Sequence, residues 1–416
     1  MDRLNFIDKF ANSFIILLIV GFFFIGTIPA LTGLSENSLA VPYRMFVLGL
    51  SLFFILSAIF SKRINKINLK SASFFFIFWA IYSVRVINDL YINPITLFPD
   101  TSPSQYFQFA FGVTLIPSIA LLLIVQAYNI NLNWILKWLY ISLFLILSIA
   151  LYYRSGSELE GRTTGGLNIG VILFGHYGAT LAILSVYYLV KGNISLINKL
   201  FYILGFIVGF VGIFVSASKS PFVALIAVLV LFFSLWYGKI KSAIIIAFFG
   251  ILLGSFYIEI VSFLNQYFNS NFLDRLLYTI EVGEDEARGN LMSVAINEFI
   301  ESPFFGNAML IQEGGMAGSY PHNLIVEAFM ATGFFGGIIF LFWEIKCLKI
   351  TVKSIKIHSE ISWIALLYLQ YLVFGMFSKN LYSNYLFWMF CLLLVSLVYK
   401  RQSNEKKTKF IKKQNL

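Results

Sequence analysis

Arg44, Arg85, Asp89, His176, Lys219, Glu259, His322, Glu327 and Lys379 lie within, or at the edge of, long apolar stretches of the chain. A charge in such a place costs several kcal/mol unless it is paired or hydrated, so each marks a candidate for chemistry. Arg154, Arg162, Arg275 and Arg288 stand in the segments between the stretches. Gathered round one cavity, these cations would bind an anion, and phosphate is the group that a guanidinium fork grips best.

The sharpest of these places is "SYPHNLIVEAFMATGFFGG", residues 319–337. Pro321 precedes His322 and an apolar helix follows, which puts the imidazole at a helix N-terminus. The positive end of the helix dipole favours its neutral form, and a neutral imidazole can accept a proton from a hydroxyl. Asn323 and Glu327 share a helix face and are candidate supports, with Glu327 a second candidate base. A capping or interfacial role for His322 is the competing reading.

Other charges also admit structural readings. Arg85 and Asp89, at i and i+4, form either part of a ligand site or a buried pair that fixes helix packing. Arg44 either faces the cavity or snorkels to headgroups. His176, in "FGHYG", reads as a hydrogen-bonding residue between helices. "EDEAR" reads as a solvated acidic turn before it reads as a cation site.

The elements that must position these groups follow from composition. Of 416 residues, 59% are hydrophobic and 12% charged, with mean hydropathy +0.83. Soluble proteins carry about 25% charged residues. Apolar runs of about 20 residues cross the bilayer as helices, because only a backbone bonded to itself survives there. The expected fold is therefore an all-α polytopic membrane protein of about 12 transmembrane helices. They are expected at 12–31, 41–60, 72–91, 105–128, 134–153, 167–190, 199–217, 220–237, 242–263, 322–343, 361–377 and 384–399. The first, after "MDRLNFIDKFANS", reads as a retained span rather than a cleaved leader. Cys347 and Cys391 read as small apolar fillers, not a disulfide framework.

Lys and Arg placement sets the expected orientation. With the N-terminus inside, most of the 30 basic residues fall in cytoplasmic segments such as "SKRINKINLK", "EIKCLKITVKSIKIHSE" and the tail "KRQSNEKKTKFIKK". The net charge of +10 is thus topogenic and gives no reason to expect nucleic acid. The layout is 1–263 for the first nine spans, 264–321 for a long outer loop, 322–400 for the last three spans, and 401–416 for a basic tail. Within the loop, Tyr267, Phe268, Phe272, Leu276 and Ile280 pattern a helix lying on the membrane surface. "LMSVAINEFIE" patterns a second amphipathic helix, stopped by Pro303 and Gly306.

Three stretches in order carry a resemblance: "FVSASKSPFVALIAVLVLF", "ARGNLMSVAINEFIESPFFGNAM" and "YPHNLIVEAFMATGFFGG". Together they resemble the O-antigen polymerase and O-antigen ligase superfamily of bacterial polysaccharide assembly. Lys219 stands where that family's turn usually has Arg, which keeps the charge but loses the fork. Arg288 matches the loop Arg; Ser302, Pro303 and Gly306 match the stop; His322 and Asn323 match the His-Asn pair; Gly333 and Gly336 match the glycines. The specific part covers about residues 215–337. The first 200 residues match only in span count and in the outer-loop Arg154 and Arg162.

The resemblance implies a metal-independent, inverting glycosyltransferase of the GT-C type, using undecaprenyl-diphosphate-linked glycans at the periplasmic face of the inner membrane. It implies Arg288, Arg162, Lys219 and Arg154 on the diphosphate, His322 as base or orienting group, and Asn323 and Glu327 beside it. It also implies a chain-length regulator as partner. The expected activity is polymerase, with ligase to lipid A-core as the alternative. A flippase for the same lipid-linked sugars is the reading from another class.

Overall fold

The computed structural model describes residues 6–32, 36–60, 69–152, 170–192, 194–255, 286–414 and positions 259, 263, 266, 267 and 272. Arg154, Arg162 and Arg275, together with most of the expected surface helix at 267–280, lie outside the described residues. The described chain is all-α. Its helices are α1 (Phe6–Thr32), α2 (Glu36–Phe60), α3 (Ser73–Ile87), α4 (Pro103–Phe107), α5 (Ile116–Ala127), α6 (Leu132–Tyr152), α7 (Val171–Lys191), α8 (Leu196–Val215), α9 (Lys219–Tyr237) and α10 (Lys239–Ser255). They continue as α11 (Glu286–Glu301), α12 (Leu324–Lys356), α13 (Ser362–Phe377) and α14 (Tyr385–Gln414). A π-helical stretch, Gln108–Leu115, joins α4 to α5 as one apolar rod.

Among the described residues, ten helical stretches are long and apolar enough to cross a membrane, and the chain is a polytopic membrane protein. Two expected spans fall outside that ten for reasons of length. Helix α10 has 17 described residues and α13 has 16. Most of α13 is buried, including Trp363, Tyr368, Gln370 and Tyr371. A helix apolar on every side is stable where other helices surround it, so it needs no lipid-facing length.

Three helices are fused by an aromatic core. Phe75, Phe78 and Trp79 of α3 meet Phe340 and Trp343 of α12 and Trp388 of α14. Ring centroids are 5.1 Å apart for Phe78–Phe340, 5.4 Å for Trp79–Trp388 and 5.9 Å for Phe75–Trp343. Helices α7 and α8 touch backbone to backbone. A Cβ on Gly178 would lie 2.6 Å from the Gly209 carbonyl oxygen, and one on Gly209 would lie 2.6 Å from the Gly178 oxygen. Small residues permit this approach where no hydrophobic drive exists between helices in lipid.

The two ends of the bundle differ. At one end Asp8 accepts from the Asn129 backbone N–H and side chain at 3.1 Å each, and Lys400 Nζ donates to the Val125 and Tyr128 carbonyls at 2.7 Å. Lys346 donates to the Ser71 carbonyl at this end, and Arg401 pairs with Glu360 at 2.8 Å. The start of α12, the start of α14 and the end of α3 lie at the other end.

There the chain between α11 and α12 is locked onto a break in α12. Gly333 has φ 63° and ψ −162°, which ends one helical segment and starts another. The break frees backbone groups, and each must find a partner. Phe334 N–H donates to the Pro303 carbonyl at 2.7 Å, and the Met330 carbonyl accepts from Asn307 N–H at 2.8 Å. Arg85 Nε donates to the Ala331 carbonyl at 2.9 Å. The "SPFFGN" and "TGFFGG" turns are thus two halves of one joint. A Cβ at Gly333 would collide with the Phe304 carbonyl group, and its φ is one that a side chain resists. Gly333→Val should therefore destabilise the protein by about 2–4 kcal/mol, combining strain and overpacking. Thermal unfolding in detergent checks this, with Gly49→Val in α2, where a Cβ meets nothing within 4 Å, as the neutral comparison.

Candidate active site

At this second end a cavity of about 720 Å³ opens between α1, α2, α4, the start of α7, the segment before α12 and the turn between α13 and α14. Arg44, His322 and Lys379 all line it, and among the described residues no Asp or Glu does. Tyr43, Tyr106, Tyr320, Tyr382 and Tyr385 supply much of the remaining wall. Such rings can cover the apolar faces of a sugar while their hydroxyls bond its edges.

His322 sits with φ 55° immediately before the cap of α12. This left-handed conformation is uncommon for a side-chain-bearing residue but tolerated by His. It turns the ring against Tyr320, with centroids 4.4 Å apart, at the cavity wall. Its Nδ1 is buried with no hydrogen-bond partner among the described residues. Burial, and then the nearby Arg288 charge, hold its pKa down to about 4, so the ring is neutral at physiological pH. The sequence-based expectation of a neutral imidazole therefore rests on burial first, with the cationic neighbour reinforcing it.

Asn323 and Glu327 are placed differently from His322. Asn323 is the N-cap of α12: its Oδ1 accepts from Ile325 and Val326 N–H at 3.0 and 3.1 Å. Neither Asn323 nor Glu327 lines the cavity. Glu327 is fully buried, and its carboxylate accepts the Leu381 N–H at 2.9 and 3.0 Å to its two oxygens, with Tyr82 Oη at 3.5 Å. The cap of α12 is thus Asn323 and not His322, and Glu327 is an anchor for the turn between α13 and α14. Of the two candidate bases, His322 lines the cavity and Glu327 does not.

Arg288 is exposed on the first turn of α11, one turn before Leu291, which lines the cavity. It is close enough for its charge to act on His322 and Tyr320. Lys219 begins α9 beside Ser220, whose Oγ meets His176 Nε2 at 3.0 Å, and Lys219 does not line the cavity. His176 is buried among Ser220, Gln370 and Phe374, as expected of a residue that ties helices together. Arg85 is also outside the cavity, and its role is the joint described above.

Two cavity cations stood in the sequence only as charges without a topogenic reason. Arg44 lies over the Phe109 ring at 4.6 Å and the Phe22 ring at 5.9 Å. Lys379, in "FSKNLYSN", meets the Phe374 ring at 6.0 Å, and burial brings its pKa down to about 8. Contacts between distant segments, not a local motif, assemble these two with His322.

Comparison with known proteins adds one finding. A family model described as O-antigen ligase matches residues 204–341, the segment that runs from α8 through α11 to the first half of α12. None of the curated proteins compared with the chain matches it.

Proposed function

We propose, from the place of residues 204–341 in the O-antigen ligase family, that the chain transfers a glycan from a lipid diphosphate to a sugar hydroxyl in the cavity beside His322. The observation that carries this is the convergence of Arg44, Lys379 and a neutral His322 on one cavity with no acidic lining among the described residues. A departing diphosphate gains negative charge as the glycosidic bond breaks. Preorganised cations stabilise that charge without reorganisation. The acceptor hydroxyl must lose its proton as it attacks, and His322 is the neutral base in reach. Attack opposite the leaving group inverts the anomeric centre, as in a GT-C-type enzyme. Arg288, beside His322, serves the diphosphate from the outer rim, and Arg154, Arg162 and Lys219 remain proposed contributors. The charge asymmetry between the two ends supports a cavity facing away from the cytoplasm, the periplasm in a bacterial inner membrane.

Within this chemistry we favour polymerase, in which the acceptor is a second undecaprenyl-diphosphate-linked repeat unit. Lys219 in place of the usual turn Arg supports it. Purified protein supplied with a lipid-linked repeat unit in detergent should elongate it without added nucleotide. Failure to elongate, together with transfer to lipid A-core, would make it a ligase; neither reaction would remove the enzyme. Arg288→Ala should slow the transfer by about 100- to 1,000-fold, by analogy with removal of one preorganised donor from a transition-state site.

A further inference from the structure

The turn between α13 and α14 is built as a rigid shelf under the cavity. Glu327 holds it from below through the Leu381 N–H, and Trp388 Nε1 donates to the Leu381 carbonyl at 2.9 Å. Asn380 Oδ1 accepts from Ser383 N–H at 2.9 Å and from Ser383 Oγ at 2.6 Å. Ser378, Lys379, Asn380, Tyr382 and Ser383 all line the cavity from this one turn. Two of its polar groups have no hydrogen-bonding counterpart among the described residues. Ser378 is 5% exposed, and its Oγ is buried with no hydrogen-bond partner among the described residues. Lys379 makes no hydrogen bond and no ion pair among the described residues, and its Nζ lies 6.0 Å from the centre of the Phe374 ring. A half-buried ammonium without a carboxylate, beside an orphaned hydroxyl, is costly in an empty protein. Natural sites leave such groups unmatched where a ligand completes them.

We propose that Lys379 and Ser378, with Arg44 facing the same cavity, form the subsite that seats the diphosphate of the lipid-linked glycan. This rests on the transfer reaction proposed above and assigns that reaction's anion to a turn outside the segment that the family match covers. Lys379 supplies a compact charge, Ser378 Oγ donates one hydrogen bond, and Arg44 supplies a guanidinium from α2 on the facing wall. Anchorage by Glu327 and Asn380 fixes the shelf before ligand arrives, so little ordering is lost on binding.

The probe is undecaprenyl diphosphate in phosphatidylcholine nanodiscs that hold the full chain. Lys379→Met should weaken its binding by about 10- to 100-fold, the size expected for losing a charge-assisted hydrogen bond. Lys379→Arg should stay within a few-fold of the unchanged protein. Because Met removes an unpaired buried charge, its melting temperature should not fall, which separates a binding role from a structural one. Equal affinity for Lys379→Met and the unchanged protein overturns the subsite, as does a loss of binding explained by a lower melting temperature. Phosphatidylglycerol in the nanodisc should not compete at equal concentration. If it does, the site holds a headgroup phosphate and the diphosphate assignment is overturned. The transfer reaction is judged separately: an unchanged protein that binds and transfers while Lys379→Met binds equally well removes the subsite alone, and one that neither binds nor transfers removes the reaction.

Discussion

Replacing His322 with alanine should slow glycan transfer by about 100- to 10,000-fold, the range lost when a positioned general base is removed. The loss should appear in kcat, with the lipid-linked donor still bound, because Arg44, Lys379 and Arg288 do not depend on the ring. The pH profile gives a second, independent readout. With its pKa near 4, the His322 imidazole stays neutral well below the usual histidine range. Activity at donor concentrations well below saturation, which reports the free protein, should therefore persist to about pH 5 and fall only as pH approaches 4. A profile with an acid limb near 6.5 would mean that the ring is not held as described. The same depression has a consequence for stability. Unfolded His322 binds a proton below its ordinary pKa of 6.5 while the folded ring does not, so stability is full above that value and declines as pH falls towards 4. At the alkaline end the free protein loses the Lys379 charge through about pH 8. Arg44, His322, Tyr382 and Tyr385 line the same cavity as that ammonium, and His176 is close enough to feel its charge. Affinity for the diphosphate should weaken as that charge is lost, less steeply once ligand is bound, since a bound anion raises the pKa.

Why some of this was legible in the sequence and some was not follows from the distance between the residues involved. Spans were legible because hydropathy is local: a run of twenty apolar residues has no other stable state in lipid. Even so, α13 shows that an apolar run reports burial and not its source, since lipid and protein neighbours read alike. His322 was legible because Pro321, Asn323 and the apolar run after them all act within a few residues. Glu327 was not. Its helix position suggested a place beside Asn323, but its partner, the Leu381 N–H, is 54 residues away, and nothing local signals it. The Lys379 shelf is the same case in reverse. Its charge was visible as one with no topogenic reason, whereas the cavity it faces is made by α1, α2, α4 and the segment before α12 together. Lys219 stood in a recognisable turn, and that turn packs on His176 rather than into the cavity.

Arg85 tests how far the joint between α3, α11 and α12 supports the site. Its guanidinium donates to the Ala331, Phe305, Gly306 and Asn307 carbonyls at 2.7–2.9 Å and meets Asp89 Oδ1 at 3.3 Å. Asp89 in turn accepts the Met309 N–H at 2.7 Å and the Asn88 side chain at 3.0 Å. One planar fork thus ties four carbonyls from two chain segments to α3, and no other side chain has donors in that geometry. Arg85→Met should cost about 3–5 kcal/mol, because it also strips the nearly buried Asp89 of its cation. Arg85→Lys keeps the charge but serves fewer of the carbonyls, and each one left dry costs about 1–3 kcal/mol. The expected order of stability is the unchanged protein, then Lys, then Met, read from unfolding in a detergent mixture. Equal losses for Lys and Met would mean that the carbonyl fork matters little and the ion pair carries the joint. Transfer activity adds the link to function. The segment from Asn307 to His322 hangs from this joint, so Arg85→Lys should lower activity at temperatures where the protein is still folded. Full activity in a folded Lys variant would show that His322 is positioned by Asn323 and Tyr320 without help from α3.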